Sequence, residues 1–292
     1  MPADVALTTL ALSLIIAVRY LVVAGVAHAL VWWGPGRGVQ LNHQRPSSRR
    51  IRQEIVASLI ACPIYAFPAA LLIELWKRGG SAVYSAPDAF PLWWLPASFV
   101  VYLLAHDAFY YWVHRALHHP KVFRWAHAEH HRSRDPSAFA SFAFDPAEAV
   151  ATAWFLPALA LFLPIHWGVA LALLTFMSLT AVLNHAGREV WPTSWLAHAP
   201  LKWVITATHH DAHHKRFAGN YGLYLQFWDR VAGSDLSDRP SRRGPVSPEG
   251  RALPAPLARR ASPAGSDAYP PDDVPAGRSR PRQQPPDTIR IG

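Results

Sequence analysis

The chain has 292 residues, 51% of them hydrophobic, and a formal net charge of +9. So apolar a composition places it with membrane proteins. The basic excess does not mark a nucleic-acid binder, because the arginines gather in residues 37–52 and in the C-terminal tail, without the interleaved aromatic rings on which bases stack. The lone Cys62 leaves no disulfide framework or cysteine metal site.

Crossing the hydrocarbon core takes about 20 apolar residues, a length that residues 5–33, 55–76 and 90–113 each supply. The first stretch, Val5 to Trp33, outruns the apolar region of a cleavable signal and reads as an anchor. Residues 148–184 have the length of a helical hairpin, with Pro164 as the natural turn. Five spans are therefore expected, or four if the hairpin is re-entrant. Arg37, Arg45, Arg49, Arg50 and Arg52 lie between the first two spans, against Lys77 and Arg78 after the second, so the 34–54 loop is expected in the cytoplasm. Successive crossings then return residues 114–147 and 185–233 to that same face. Beyond Ser234 frequent Pro, Arg, Ser and Gly predict a disordered tail over 238–292. The expected fold is an all-α polytopic membrane bundle with a histidine-rich helical cap. Its divisions are membrane helices in 1–99, a catalytic region in 100–233, and the tail.

Histidine is the unusual residue, with 16 copies. His114 and His118 stand at i, i+4, which puts both imidazoles on one helical face. His127, His130 and His131 repeat the spacing of His210, His213 and His214, and i, i+3, i+4 puts three ring nitrogens on one side of a turn. Packing alone gives no reason for that repetition, and polar groups near a bilayer are costly enough to imply function. One catalytic zinc uses about three protein ligands, so these eight histidines point to two metal ions. Imidazole serves iron, zinc, copper and nickel alike, so ligand type does not choose the metal. His185, one residue past an apolar helix, suits either a ligand or a cap on helix-end carbonyls. His106 and His209 lie about 80° and 100° off the nearest ligand stripe and are left undecided; His198, His166, His43 and His28 read as ordinary histidines. Asp107 lies seven residues before His114, nearly on its face, and is expected to accept an imidazole N–H or to pair with a basic side chain; Asp211 is a candidate of the same kind. Tyr110, Tyr111 and Trp112 read as an interfacial aromatic belt.

The three clusters resemble the histidine boxes of the fatty acid hydroxylase and sterol desaturase superfamily. The likeness extends to Asp107, to Tyr111-Trp112-Val113-His114-Arg115, to Asn184-His185-Ala186-Gly187, and to Asn220-Tyr221-Gly222 with Trp228-Asp229-Arg230 and Gly233. It covers about residues 100–233. The resemblance implies a cytoplasm-facing diiron centre and hydroxylation or desaturation of a fatty-acyl, sterol or related lipid with O2. By it the ligands are His114, His118, His127, His130, His131, His210, His213 and His214, with His185 a ninth. No Glu-x-x-His pair of the kind found in soluble diiron bundles occurs, so the site reads as histidine-dominated. With no haem module, iron–sulfur cysteines or nucleotide-binding fingerprint, electrons must come from a separate ferredoxin, cytochrome b5-like protein or reductase. The alternatives from other classes are a zinc-dependent membrane lipid hydrolase and a metal transporter or sensor.

Overall fold

A computed structural model describes residues 2–34, 38–42, 44–196, 198 and 201–237. The tail expected over 238–292, together with Arg37 and His43, lies outside the described residues. The chain begins with two long apolar helices, α1 (Pro2–Trp33) and α2 (Ser48–Trp76). At about 1.5 Å per residue they run about 48 and 44 Å, more than the hydrocarbon core needs. They pack antiparallel. At one end Thr8 Oγ1 donates to Glu74 (2.7 Å), while further along Tyr20 Oη and Ser58 Oγ both donate to the Phe139 carbonyl (2.8 and 3.1 Å).

α3 (Trp94–Leu117) leads directly into α4 (Pro120–Ala126), and after a looped stretch come α5 (Pro146–Ala153), α6 (Phe155–Leu159) and α7 (Trp167–His185). Short helices α8 (Thr193–Leu196), α9 (Ala207–Arg216) and α10 (Phe227–Val231) complete the described chain. Among the described residues strand structure is limited to two minimal pairings and one isolated bridge between Val204 and Leu225: β1 (Val39–Gln40) runs antiparallel to β4 (Arg188–Glu189), and β2 (Val83–Tyr84) parallel to β3 (Ile165–His166).

Among the described residues three helices, α1, α2 and α7, are long and apolar enough to cross a membrane, against the four or five expected. The side chains of α1 and α7 are largely exposed, Leu7 and Leu10 at 70% each, as lipid-facing surfaces are. α3 has the length of a span, but buried His106 and Asp107 interrupt its apolar run. The expected first limb of the hairpin is broken. Pro157 has no N–H to return to the carbonyl four residues earlier, and α5 stops there, at Ala153. The broken limb still runs away from the histidines, because the carbonyls of Leu163 and Pro164 accept from Tyr102 Oη (2.6 Å) and Trp94 Nε1 (3.2 Å) near the start of α3.

The consequence for the site is that the C-terminal ends of α1, α3 and α7 and the N-terminal end of α2 converge on one side, where the segment 130–142 packs among them. Tyr20 and Ala24 of α1, Val182 of α7 and Ala138 form a buried cluster there. Glu54, buried near the start of α2, accepts hydrogen bonds from Ser133 Oγ (2.7 Å), Ser137 Oγ and Ser137 N. Asn42 Nδ2 donates to the Pro136 carbonyl (2.8 Å), and Gly187 packs so closely on it, at φ +73°, that a Cβ would lie 2.5 Å from that nitrogen. Replacing Glu54 by Ala strands buried donors and is expected to destabilise the protein by about 2–4 kcal/mol. Thermal unfolding in detergent measures it; an unchanged midpoint would mean that this carboxylate does not hold the loop.

Candidate metal centre

Each histidine group begins from a different local structure. His114 occupies the last turn of α3 and His118 caps it, its amide returning to the His114 carbonyl (3.2 Å). The 127–131 triad is not one helical turn, as its spacing predicts. His127 leaves α4 at φ −151°, and His130 opens a 3-10 turn over His130–Arg132. The third triad does lie on a helix, α9, whose start is closed by a reciprocal box between Thr206 and His209. His185 is the last residue of α7.

The fold brings all nine of these histidines into two groups. His114, His118, His127, His131 and His213 form one, and His130, His185, His210 and His214 the other; within each group the ligand-capable nitrogens lie within 4.8 Å of one another. Each His-x-x-His-His triad is divided between them. His127 and His131 enter the first group and His130 the second, whereas His210 and His214 enter the second and His213 the first. Neither group contains a carboxylate, and eight of the nine are buried, His118 being half-buried.

Hydrogen bonds behind the rings decide which nitrogen faces inward. His114 Nδ1 donates to the Tyr221 carbonyl (2.9 Å), His213 Nδ1 to Gly219 (2.7 Å), His185 Nδ1 to Ala181 (2.8 Å) and His130 Nδ1 to Ala143 (3.3 Å). His127 Nδ1 donates to the Glu148 carboxylate (2.7 Å). A carbonyl can only accept, so the first four rings carry their proton on Nδ1 and turn the Nε2 lone pair inward, and His127 does the same when Glu148 is ionised. His114 Nε2 and His127 Nε2 then face each other at 3.0 Å with no proton between them. His185 Nε2 stands 2.8 Å from His210 Nε2, and His213 Nε2 3.1 Å from His131 Nε2. The facing lone pairs of His114 and His127 repel unless a cation lies against them, and the second group gathers four buried imidazoles about one point, so the donor set fits metal ions in both groups.

Burial also favours the ligand form. Desolvation, ahead of repulsion from neighbouring imidazoles, holds His127, His131, His210, His213 and His214 well below the ordinary histidine range, and it pushes His130 down to about 4. These rings are neutral at pH 7, and a metal has no proton to displace from them.

The carbonyls that orient His114 and His213 belong to one loop, residues 217–225, which needs unusual backbone. Phe217 (φ 62°) and Asn220 (φ 54°) are left-handed without being glycine, and at Gly219 (φ 147°) a Cβ would lie 2.4 Å from the Ser234 carbonyl. Buried Asp229 accepts from the amides of Tyr221 and Gly222 (2.8 Å each) and from Ser234 Oγ (2.7 Å). Asp107 serves the same loop, and this corrects its expected role. Its Oδ1 accepts from the amides of Tyr224 (2.8 Å) and Leu225 (3.2 Å) and, among the described residues, meets neither an imidazole nor a basic side chain. Asp107 faces that loop, whose bare amides leave it no need of an imidazole.

The other candidates fall outside the two groups. Asp211 pairs with Lys215 (2.8 Å) on α9. His106 Nδ1 meets Tyr224 Oη (3.2 Å), and His209 is engaged by Thr206 and Gln226. His198 is exposed, with Nδ1 against the Ser194 carbonyl (2.6 Å). Tyr110 and Tyr111 are buried, Tyr111 Oη meeting Ser234 Oγ (2.8 Å), so of the expected aromatic belt only Trp112 is exposed. Glu148, Asp229 and Glu189 were not read from sequence as site residues. Glu148 follows Asp145-Pro146 at a helix start, where an acid normally answers the helix dipole. Glu189 accepts from the Thr208 amide (3.1 Å) at the first turn of α9.

The Fatty acid hydroxylase family profile matches residues 99–234, the segment that holds every histidine of both groups. The chain is 31% identical over 196 residues to a lathosterol oxidase of Mus musculus, covering 66% of this chain and 64% of that protein. It is 30% identical over 217 residues to a Delta(7)-sterol 5(6)-desaturase of Aspergillus fumigatus, covering 74% and 61%. A Delta(7)-sterol 5(6)-desaturase of Gibberella zeae is 28% identical over 199 residues, covering 68% and 60%. The chain thus spans about three-fifths of the length of these curated relatives. No solved structure matches it. With apolar spanning helices beneath a histidine-built centre and this matched segment, the chain is an integral membrane protein and belongs to the fatty acid hydroxylase and sterol desaturase superfamily.

Proposed function

We propose that the chain is an O2-dependent oxidoreductase that hydroxylates or desaturates a membrane lipid at a two-iron centre, with a sterol as the first candidate substrate. The observation that carries this is nine histidines converging in two adjoining groups, five of them held with the Nε2 lone pair inward. The activities for which the sterol-modifying relatives are named supply the substrate class. His114, His118, His127, His131 and His213 would hold one ion, and His130, His185, His210 and His214 the other. Bound iron supplies the O2 activation and C–H cleavage that no acid–base side chain provides. Hydroxylation consumes one O2, two electrons and two protons and yields an alcohol and one water; desaturation consumes the same and yields an alkene and two waters. Both require an external donor, which we take to be a ferredoxin, a cytochrome b5-like protein or a reductase. The chain's own part is positional: carbonyls at 143, 181, 219 and 221 and the Glu148 carboxylate fix the rings before a metal arrives. A zinc hydrolase would use about three ligands, and a transporter would place its ligands at mid-bilayer.

The test is turnover of lathosterol by iron-loaded protein in nanodiscs with O2 and a reducing system, scored by mass for loss of two hydrogens or gain of oxygen. Elemental analysis should find close to two irons per chain; one ion or none in folded protein would defeat the reading. His213→Ala, which removes an inward nitrogen, is expected to abolish product, whereas His198→Ala, at an exposed ring, should leave product and change stability by no more than about 0.5 kcal/mol. An active His213→Ala protein with both irons bound would show that this ring is not a ligand.

Glu148→Gln keeps an oxygen for the His127 N–H but removes its charge. It is expected to weaken metal retention about tenfold or more, read by competition with a chelator. Unchanged retention would show the carboxylate to be a packing group only.

We further propose that both histidine groups face the cytoplasm. Support comes from the basic loop before α2, whose arginines adjoin the helix end that Glu54 ties to the 133–137 segment. A cysteine at exposed Ala218 should then resist an impermeant thiol reagent in intact cells and react after permeabilisation; labelling in intact cells would reverse the topology.

A further inference from the structure

A groove of about 360 Å³ runs between α2 and the segment 129–146. Val56, Ala57 and Ile60 of α2 form one wall, and Phe144 and Pro146 the other. Val56 and Ile60 are 52% and 51% exposed, on a helix of spanning length, so the groove opens towards acyl chains. Arg52 and Gln53 stand at its end nearer the start of α2, about 12 Å from Ile60 along the helix. Glu129 at the rim is neutralised by Arg132 (2.5 Å), whereas Arg52 has no ion pair among the described residues. The groove therefore presents an apolar bed with one uncompensated donor at its polar end. Its inner wall leads to the centre. The Phe144 ring lies nearly parallel to His130, with centroids 5.6 Å apart, and the preceding residue's carbonyl takes the His130 Nδ1 proton.

We propose that this groove is the lateral path by which an amphiphilic lipid leaves the bilayer for the second histidine group, and that Phe144 is the side chain that closes its inner end. The inference rests on the lipid-oxidising reading of the centre. The occupant lays its apolar body along Val56, Ala57 and Ile60 and sets a hydroxyl or carboxylate beside Arg52 and Gln53. Phe144 is a positioning residue: it sets how far a chain or ring advances towards His130, and hence which carbon is presented.

Two measurements test it. In phosphatidylcholine nanodiscs, diazirine-bearing cholesterol and diazirine-bearing palmitate are photolysed with the iron-loaded protein. At least one should label residues 52–60 or 144–146 saturably, competed by its unlabelled parent, above the unsaturable background on Leu7 and Leu10. In the lathosterol assay Ala57→Phe and Val56→Trp, which fill the groove, should lower kcat/KM about tenfold with iron content unchanged. Phe144→Ala should move the site of oxidation or the KM, and Phe144→Leu should restore the wild-type pattern. Saturable labelling elsewhere only, or undiminished kcat/KM in both filled variants, overturns the groove. Wild-type protein that oxidises no lipid overturns the functional reading instead, and the labelling then judges the groove separately.

Discussion

The structure depends on hydrogen bonds made at the backs of the histidine rings. Four backbone carbonyls and one carboxylate take the Nδ1 protons of His130, His185, His213, His114 and His127, and this alone turns five lone pairs inward. A free imidazole would choose its tautomer by solvent; these cannot. Holding unpaired Nε2 atoms about 3 Å apart is unfavourable without a cation, so the fold stores a preference for metal in its backbone geometry.

That geometry has to be supported, and four other buried carboxylates do so. Asp229 and Asp107 collect five donors from residues 221–234, the stretch that begins with the Tyr221 carbonyl. Glu54 does the same for the segment after His131, and Glu189 for the start of α9. Each is an acid buried against bare backbone amides or hydroxyls, where an unmet donor would cost about 1–3 kcal/mol. The left-handed Phe217 and Asn220 persist because this network over-determines the loop.

The membrane helices position the same machinery. His114 and His185 end α3 and α7, so both rings are delivered at the level where the apolar runs stop. The half-buried His118 and its neighbours Phe123 and Tyr221 lie on the first group, whereas the second group is fully buried beside Phe144. The two groups thus face different surroundings, although each triad contributes to both.

Much of the centre was legible in the chain. Spacing alone singled out the eight clustered histidines, because i, i+3 and i+4 neighbours share a face whatever surrounds them, and the fold gathers them with His185 into two groups. Apolar length found α1, α2 and α7 for a similar reason, since burial in lipid is a property of the segment itself. That each triad can serve two adjacent metals follows from its spacing, but which of its histidines joins which group was not legible. It follows from the crossing of α9 against the 127–131 turn, and spacing is silent on which helix faces which. Nor was the role of Asp107, whose partners are amides 117 and 118 residues away. Glu148 carried no signal at all, for an acid in the first turn of a helix is ordinary until the fold sets it 2.7 Å from His127. Local periodicity is written in the sequence, but a hydrogen bond between distant residues exists only once the tertiary structure brings donor and acceptor together.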